Sequence, residues 1–124
     1  MKQIVEMFLE NMSTKECFQF GIRCEECGSV YSTAAEHFSK AETAPQNRAK
    51  QIIYDALYEQ EMALCRHRAV CRLAEYINRC PVCKRIVCNC CFLICEDLDM
   101  CVSCASSLEE KGVPVYQELT ENII

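Results

Sequence analysis

The chain has no tryptophan and only three glycines, three prolines and two histidines among its 124 residues. So little glycine and proline excludes collagen-like and low-complexity disordered architectures. Aromatics are sparse too, at 8%. No apolar run approaches the roughly 18 residues that a membrane-spanning helix needs. The first sixteen residues hold short apolar pairs broken by Glu6, Glu10 and Asn11. With no continuous apolar segment and no small-residue cleavage site, they do not read as a secretory signal, and a cytoplasmic protein is expected. Basic charge is the minority: 13 Lys and Arg against 18 Asp and Glu, a formal net of −5. That balance argues against a general polyanion binder.

What the chain does have is cysteine, thirteen of them. Such a content means a disulfide scaffold, a metal protein or a redox device. An odd number cannot pair fully, and the expected reducing compartment disfavours disulfides. Eight of the cysteines fall into four Cys-x-x-Cys pairs: Cys24/Cys27, Cys80/Cys83, Cys88/Cys91 and Cys101/Cys104. Two intervening residues let the chain turn back so that both sulfurs face one ion about 2.3 Å away, while amides inside the turn donate to the thiolates. Gly28 follows Cys27, where a residue able to adopt positive φ is favoured; Lys84 holds the matching place after Cys83 and suits it less well. Eight thiolates make two closed tetrahedra, so two zinc ions are expected, in a structural role. An iron–sulfur cluster would favour a compact four-cysteine run, which is incomplete here. A redox dithiol would need a helix-start pair in a βαβ setting, and none is present. With two ions bound, the formal charge becomes about −9.

Residues 2–12 suit an amphipathic helix with Ile4, Val5, Phe8, Leu9 and Met12 on one side, within an amino-terminal segment 1–16. Phe18 to Tyr31 reads as a hairpin around the first cysteine turn, forming a knuckle unit over 17–33, and Ser32 to Lys40 as a helical turn or loop. Thr43 as cap and Pro45 in the first turn open a helical stretch over 43–78, about 33 residues and roughly 50 Å if unbroken. Its apolar columns are Ala56, Ala63, Val70, Ile77 and Leu57, Leu64, Cys71, with Ile53 and Ala74 beside them. Part of the stripe serves the core; the excess length suits self-association. Residues 79–112 carry the other three pairs and a short helix from Ala105 to Lys111 stopped by Gly112, and 113–124 form a tail. The fold class expected is α+β: a small two-zinc module, treble clef or zinc ribbon, with short β-hairpins and a long helical insertion.

The run Cys80-Pro-Val-Cys83-Lys-Arg-Ile-Val-Cys88-Asn-Cys-Cys91, followed by Cys101-Val-Ser-Cys104, resembles the FYVE-type and RING-like treble-clef fingers. The four-residue gap between Cys83 and Cys88 matches the FYVE block. The resemblance covers about a third of the chain in two pieces. It implies interleaved ligation: Cys24 and Cys27 with Cys88 and Cys91, and Cys80 and Cys83 with Cys101 and Cys104. The stretch before the block, Glu75 to Arg79, holds one arginine and no histidine, so the phosphoinositide recognition of FYVE domains is not carried over. A looser resemblance is to uncharacterised bacterial double-zinc-ribbon proteins. In that case ligation is sequential, the first pair with the second and the third with the fourth.

Cys17, Cys65, Cys71, Cys90 and Cys95 remain; Cys65 and Cys71 read as small helix hydrophobes, and Cys90 and Cys95 as rivals of Cys91 for the metal. His37 and His67 are lone histidines not expected to be ligands, His67 lying between Arg66 and Arg68 on a solvated helix face. No nucleophile–base pair, phosphate loop or carboxylate dyad stands out, so an enzyme is not expected. The function expected is a two-zinc scaffold for protein–protein contact, including self-association through 43–78. The alternative is nucleic-acid binding through the basic 66–85 region, where Arg66, Arg68, Arg72, Arg79, Lys84 and Arg85 gather and residues 68, 72 and 79 would share a helix side.

Overall fold

A computed structural model describes residues 1–115. One long helix, α2 (Arg48–Leu73), joins two groups of short strands. Before it come α1 (Lys2–Phe8), β1 (Glu10–Asn11), β2 (Cys17–Phe18), β3 (Phe20–Arg23), β4 (Val30–Ser32) and β5 (Glu36–His37). After it come β6 (Ile77–Arg79), β7 (Ile86–Cys88), a 3-10 turn at Asn89–Cys91, β8 (Phe92–Cys95), β9 (Met100–Cys101), α3 (Val102–Ser107) and β10 (Gly112–Pro114). All pairing is antiparallel, in sheets ordered β1-β3-β4, β2-β5, β6-β7 and β10-β8-β9. The result is the expected mixture of helix and small sheets.

The element limits differ from the sequence reading for identifiable reasons. The first helix stops at Phe8 because Leu9 turns extended and Glu10 and Asn11 pair with Gly21 and Phe20. Of its proposed apolar side, Val5 is fully buried, while Phe8 and Met12 remain 41% exposed. The segment 32–40 is neither helix nor plain loop: Glu36 and His37 form β5, pairing with β2. The long helix is capped by Asn47, whose side chain accepts from the Lys50 amide at 2.9 Å, rather than by Thr43. At the other end Ile77 leaves the helical column for β6, where it faces Cys88 across the sheet. The helix is therefore 26 residues long, about 39 Å at 1.5 Å per residue. The final helix starts earlier than Ala105 and ends at Ser107, capped by Leu108, with Glu109 at φ 56 rather than Gly112 as the stop. Gly112 instead lies in β10, where a Cβ would meet the Ile94 carbonyl oxygen at 2.6 Å. Of the proposed tail 113–124, Val113 and Pro114 belong to β10, and residues 116–124 lie outside the described residues.

Two cores sit along α2. The carboxy-terminal end of the helix, through Val70 and Leu73, joins Val5, Ile22, Ile77, Ile86, Val87, Met100 and Ala105 around five buried cysteines, Cys24, Cys80, Cys88, Cys91 and Cys101. The middle of the helix packs Cys65 and Ala69, with Tyr54, Leu57, Tyr58 and Met62, on Phe18, Phe20 and Phe38. Ala56, Ala63 and Leu64, assigned to the apolar columns, face outward. The buried face thus follows Tyr54, Tyr58, Cys65, Ala69 and Leu73, because the amino-terminal aromatics dock there.

Candidate metal centre

Each of the first two cysteine pairs sits in the turn of a hairpin. Cys24 to Cys27 links β3 to β4, and Cys80 to Cys83 links β6 to β7. The turns are built alike. The amide of Gly28 donates to the Cys24 carbonyl at 2.9 Å, as that of Lys84 does to the Cys80 carbonyl at 2.8 Å. Cys24 and Cys80 in turn donate to the carbonyls of Ser29 and Arg85, both at 2.9 Å. Gly28 has φ 78 and Lys84 φ 69. The lysine therefore adopts the left-handed conformation that glycine adopts freely, at a cost of roughly 1 kcal/mol.

The other two pairs sit on helical turns that follow a strand. Cys88 and Cys91 flank the 3-10 turn after β7, and Cys101 and Cys104 lie at the start of α3 after β9. The fold brings the sulfurs of Cys24, Cys27, Cys88 and Cys91 within 4.8 Å of one another, and likewise those of Cys80, Cys83, Cys101 and Cys104. The arrangement is interleaved; the sequential pairing of neighbouring pairs does not form. In each cluster the second half reaches back in the same way: the Cys88 amide donates to Cys24 Sγ at 3.2 Å, and the Cys101 amide to Cys80 Sγ at 3.3 Å.

The distances suit a single ion. A tetrahedron with bonds of about 2.3 Å to sulfur has edges of about 3.8 Å. The separations are 3.9 Å for Cys27–Cys88, 3.8 Å for Cys80–Cys104 and 3.7 Å for Cys83–Cys101. Proton affinities within each cluster diverge. Burial pushes the Cys27 thiol up, but the Ser29 hydroxyl and amide outweigh it and bring it down to about 7. Burial and the charges of Cys88 and Cys24 raise Cys91 strongly. In the second cluster the Arg85 guanidinium, then its amide, bring Cys83 down to about 6, while burial and the neighbouring thiols push Cys104 up to about 12. Four sulfurs this close cannot all be thiolates unless a cation lies among them. The two clusters are thus fitted to hold two metal ions.

Around the sulfurs stand groups that spacing in the sequence does not single out. Ser29 Oγ lies 3.2 Å from Cys27 Sγ. Tyr31, 4% exposed, is buried in the same core as Cys88. Arg85 Nη2 reaches Cys101 Sγ at 3.6 Å. The signal for Ser29 and Arg85 was their place one step beyond the left-handed residue of each knuckle; nothing local marked Tyr31.

The remaining cysteines stay outside both clusters. Cys65 is buried against Phe18 and Phe38, accepting from Arg68 Nη2 at 3.2 Å. Cys17 and Cys71 are half-buried, each beside a histidine: His37 Nδ1 at 3.8 Å and His67 Nε2 at 4.0 Å. Cys90 is exposed and Cys95 half-buried on β8, so Cys91 alone completes its cluster. The basic middle is largely engaged within the chain. Arg66 lies against Glu6 and over the Phe20 ring, Arg68 pairs with Glu36 and Arg85 with Glu26. Arg79 is on β6, donating to the Lys84 carbonyl at 3.4 Å, so it does not share a helix side with Arg68 and Arg72. Among the described residues no helix is long and apolar enough to cross a membrane. Comparison with protein-family models, with curated proteins and with solved structures found no match to this chain.

Proposed function

We propose that this protein is a non-enzymatic structural scaffold in which two zinc ions, each closed by four thiolates, hold α2 in place for contact with a protein partner. The observation that carries the reading is the set of tetrahedral sulfur spacings, 3.7 to 3.9 Å. They leave room for one ion per cluster rather than for an iron–sulfide core. Four cysteines close the coordination shell, which is the structural rather than the catalytic pattern. The order of knuckle, hairpin and helical turn supports the treble-clef type, and uncoupled thiols suit a reducing cytoplasm.

The partner proposed is a second copy of the chain, meeting it along α2. Ile53 and Leu64 stand on one side of the helix about three turns apart and are both 53% exposed. The internal ion pairs of Arg66, Arg68 and Arg85 leave less free positive charge for a nucleic acid, which favours a protein partner over that alternative. Elemental analysis with light scattering tests both parts. Two zinc ions per chain and a dimer that Leu64→Asp converts to monomer are expected. One ion or none overturns the scaffold, iron overturns the metal assignment, and a wild-type monomer overturns the self-association.

A further inference from the structure

The second knuckle places Arg85 between the two clusters. Its Nη1 donates to the Glu25 carbonyl at 3.0 Å, inside the first knuckle. Its Nη2 pairs with the Glu26 carboxylate in that same turn and also reaches Cys101 Sγ of the second cluster at 3.6 Å. Cys83 lies two residues before Arg85, 3.7 Å from Cys101 sulfur to sulfur. Glu26 is shared in turn: its Oε1 accepts the Ser103 hydroxyl at 2.7 Å, from the turn between Cys101 and Cys104. Backbone pairing runs alongside, with Glu25 donating to the Ile86 carbonyl at 2.9 Å and the Glu25 carboxylate accepting the Ile86 amide at 3.3 Å. Both residues between Cys24 and Cys27 are therefore tied to the second cluster, chiefly through one side chain.

We propose that Arg85 is the positioning residue that couples the two cysteine clusters, so that a divalent metal bound in one raises the affinity of the other. The inference rests on the two-metal reading above. A loaded cluster of four thiolates carries a net charge of −2. Loading the second cluster fixes Cys83 and Cys101 and concentrates that charge beside the guanidinium, which holds the arginine in place. The fixed fork then holds Glu25 and Glu26, and with them the turn that sets the spacing of Cys24 and Cys27. Linkage makes the effect reciprocal: a metal in the first cluster orders the Glu25–Glu26 turn, which presents Arg85 to the second. Arginine suits the task because its planar fork serves several acceptors at once, which a lysine ammonium on a flexible stem does not.

Cobalt titration of the reduced apoprotein provides the test. Cys27→Ser turns the first cluster into a three-sulfur, one-oxygen set, so the four-sulfur absorption reports the second cluster alone. In the parent, Cys27→Ser is expected to weaken Co²⁺ binding at the second cluster about tenfold, within the usual span of coupling between sites. In an Arg85→Gln background the same substitution is expected to change it less than about twofold. Arg85→Lys keeps a positive charge near Cys101 but lacks the planar fork, so it should lose the coupling as Arg85→Gln does. Glu26→Gln leaves the arginine on the thiolates and should also weaken the coupling alone, which provides a reading if the Arg85 variants fold poorly. Equal sensitivity to Cys27→Ser with and without Arg85, or unchanged coupling in Glu26→Gln, overturns the proposal. A parent that binds fewer than two Co²⁺ defeats the metal reading itself. A parent that binds two independently defeats only the coupling.

Discussion

The two cores along α2 solve the same problem with different materials. The amino-terminal one is aromatic: the Phe38 ring meets Tyr54 and Tyr58 edge-on, each with centroids 5.2 Å apart, and Phe18 packs on both Phe38 and Tyr58. It has polar handles at the rim, where Tyr58 donates to the Thr14 carbonyl at 2.8 Å and Glu61 clasps Ser39. The carboxy-terminal core is built from buried valine, isoleucine, cysteine, Leu73, Met100 and Ala105, with Tyr31 stacked on Tyr76 at 6.0 Å. Its strands run two to four residues, too short for a two-stranded hairpin to stand alone. One core closes by dispersion and area burial. The other has its strands gathered at eight sulfurs placed to hold two metal ions.

Removing the metal breaks this comparison most directly. A chelator is expected to cost the sulfur-lined core of order 10 kcal/mol, the usual contribution of a structural zinc site. Amide exchange should rise sharply across β4 and β6–β9 while the middle of α2, β2 and β5 stay protected. Loss of protection in both regions together would show that the aromatic core has no stability of its own. Phe38→Ala probes the other side. The ring is fully buried, so its removal should cost about 3–5 kcal/mol, read as a lower unfolding midpoint of the metal-loaded protein. Metal affinity should stay within about twofold; a larger fall would mean that the aromatic core positions the cysteines. The smallest effect sharpens the contrast from within the metal side. Lys84→Gly relieves the left-handed strain at φ 69 and should stabilise the loaded protein by about 0.5–1 kcal/mol. Exchange in the aromatic core should not change. A destabilised variant would mean that the lysine side chain makes a contribution greater than its backbone cost.

Much of the metal site was legible in the chain because its parts are local. A Cys-x-x-Cys pair encodes a turn within four residues, and Gly28 marks the left-handed residue that closes it. The hairpin around Cys24 and Cys27 and a long central helix were legible for the same reason. The helix limits were not. Ile77 continues a helical apolar column in sequence, yet pairs with Cys88 in a strand, since the ladder to β7 is available only once Cys80 and Cys83 have turned the chain back. Met12 was likewise assigned to a helix that ends where Asn11 finds Phe20. Val70 was correctly marked for burial, while Ala63 and Leu64 were not separable from it by periodicity alone.

Composition and spacing by themselves determined which eight cysteines cluster, the Cys-x-x-Cys turns and the presence of a long helix, because each depends on residues a few positions apart. Which pair joins which was decided only in three dimensions. Cys27 and Cys88 meet across 61 residues and Cys24 and Cys88 across 64, and both interleaved and sequential partnerships satisfy the same local turns. The choice falls to packing at the carboxy-terminal end of α2, where Val70 and Leu73 share one core with Ile22 of the first hairpin and Ile77 and Ile86 of the second. The same packing assigned Arg66, Arg68 and Arg85 to carboxylates of this chain, partners too distant in sequence for any local pattern to reveal.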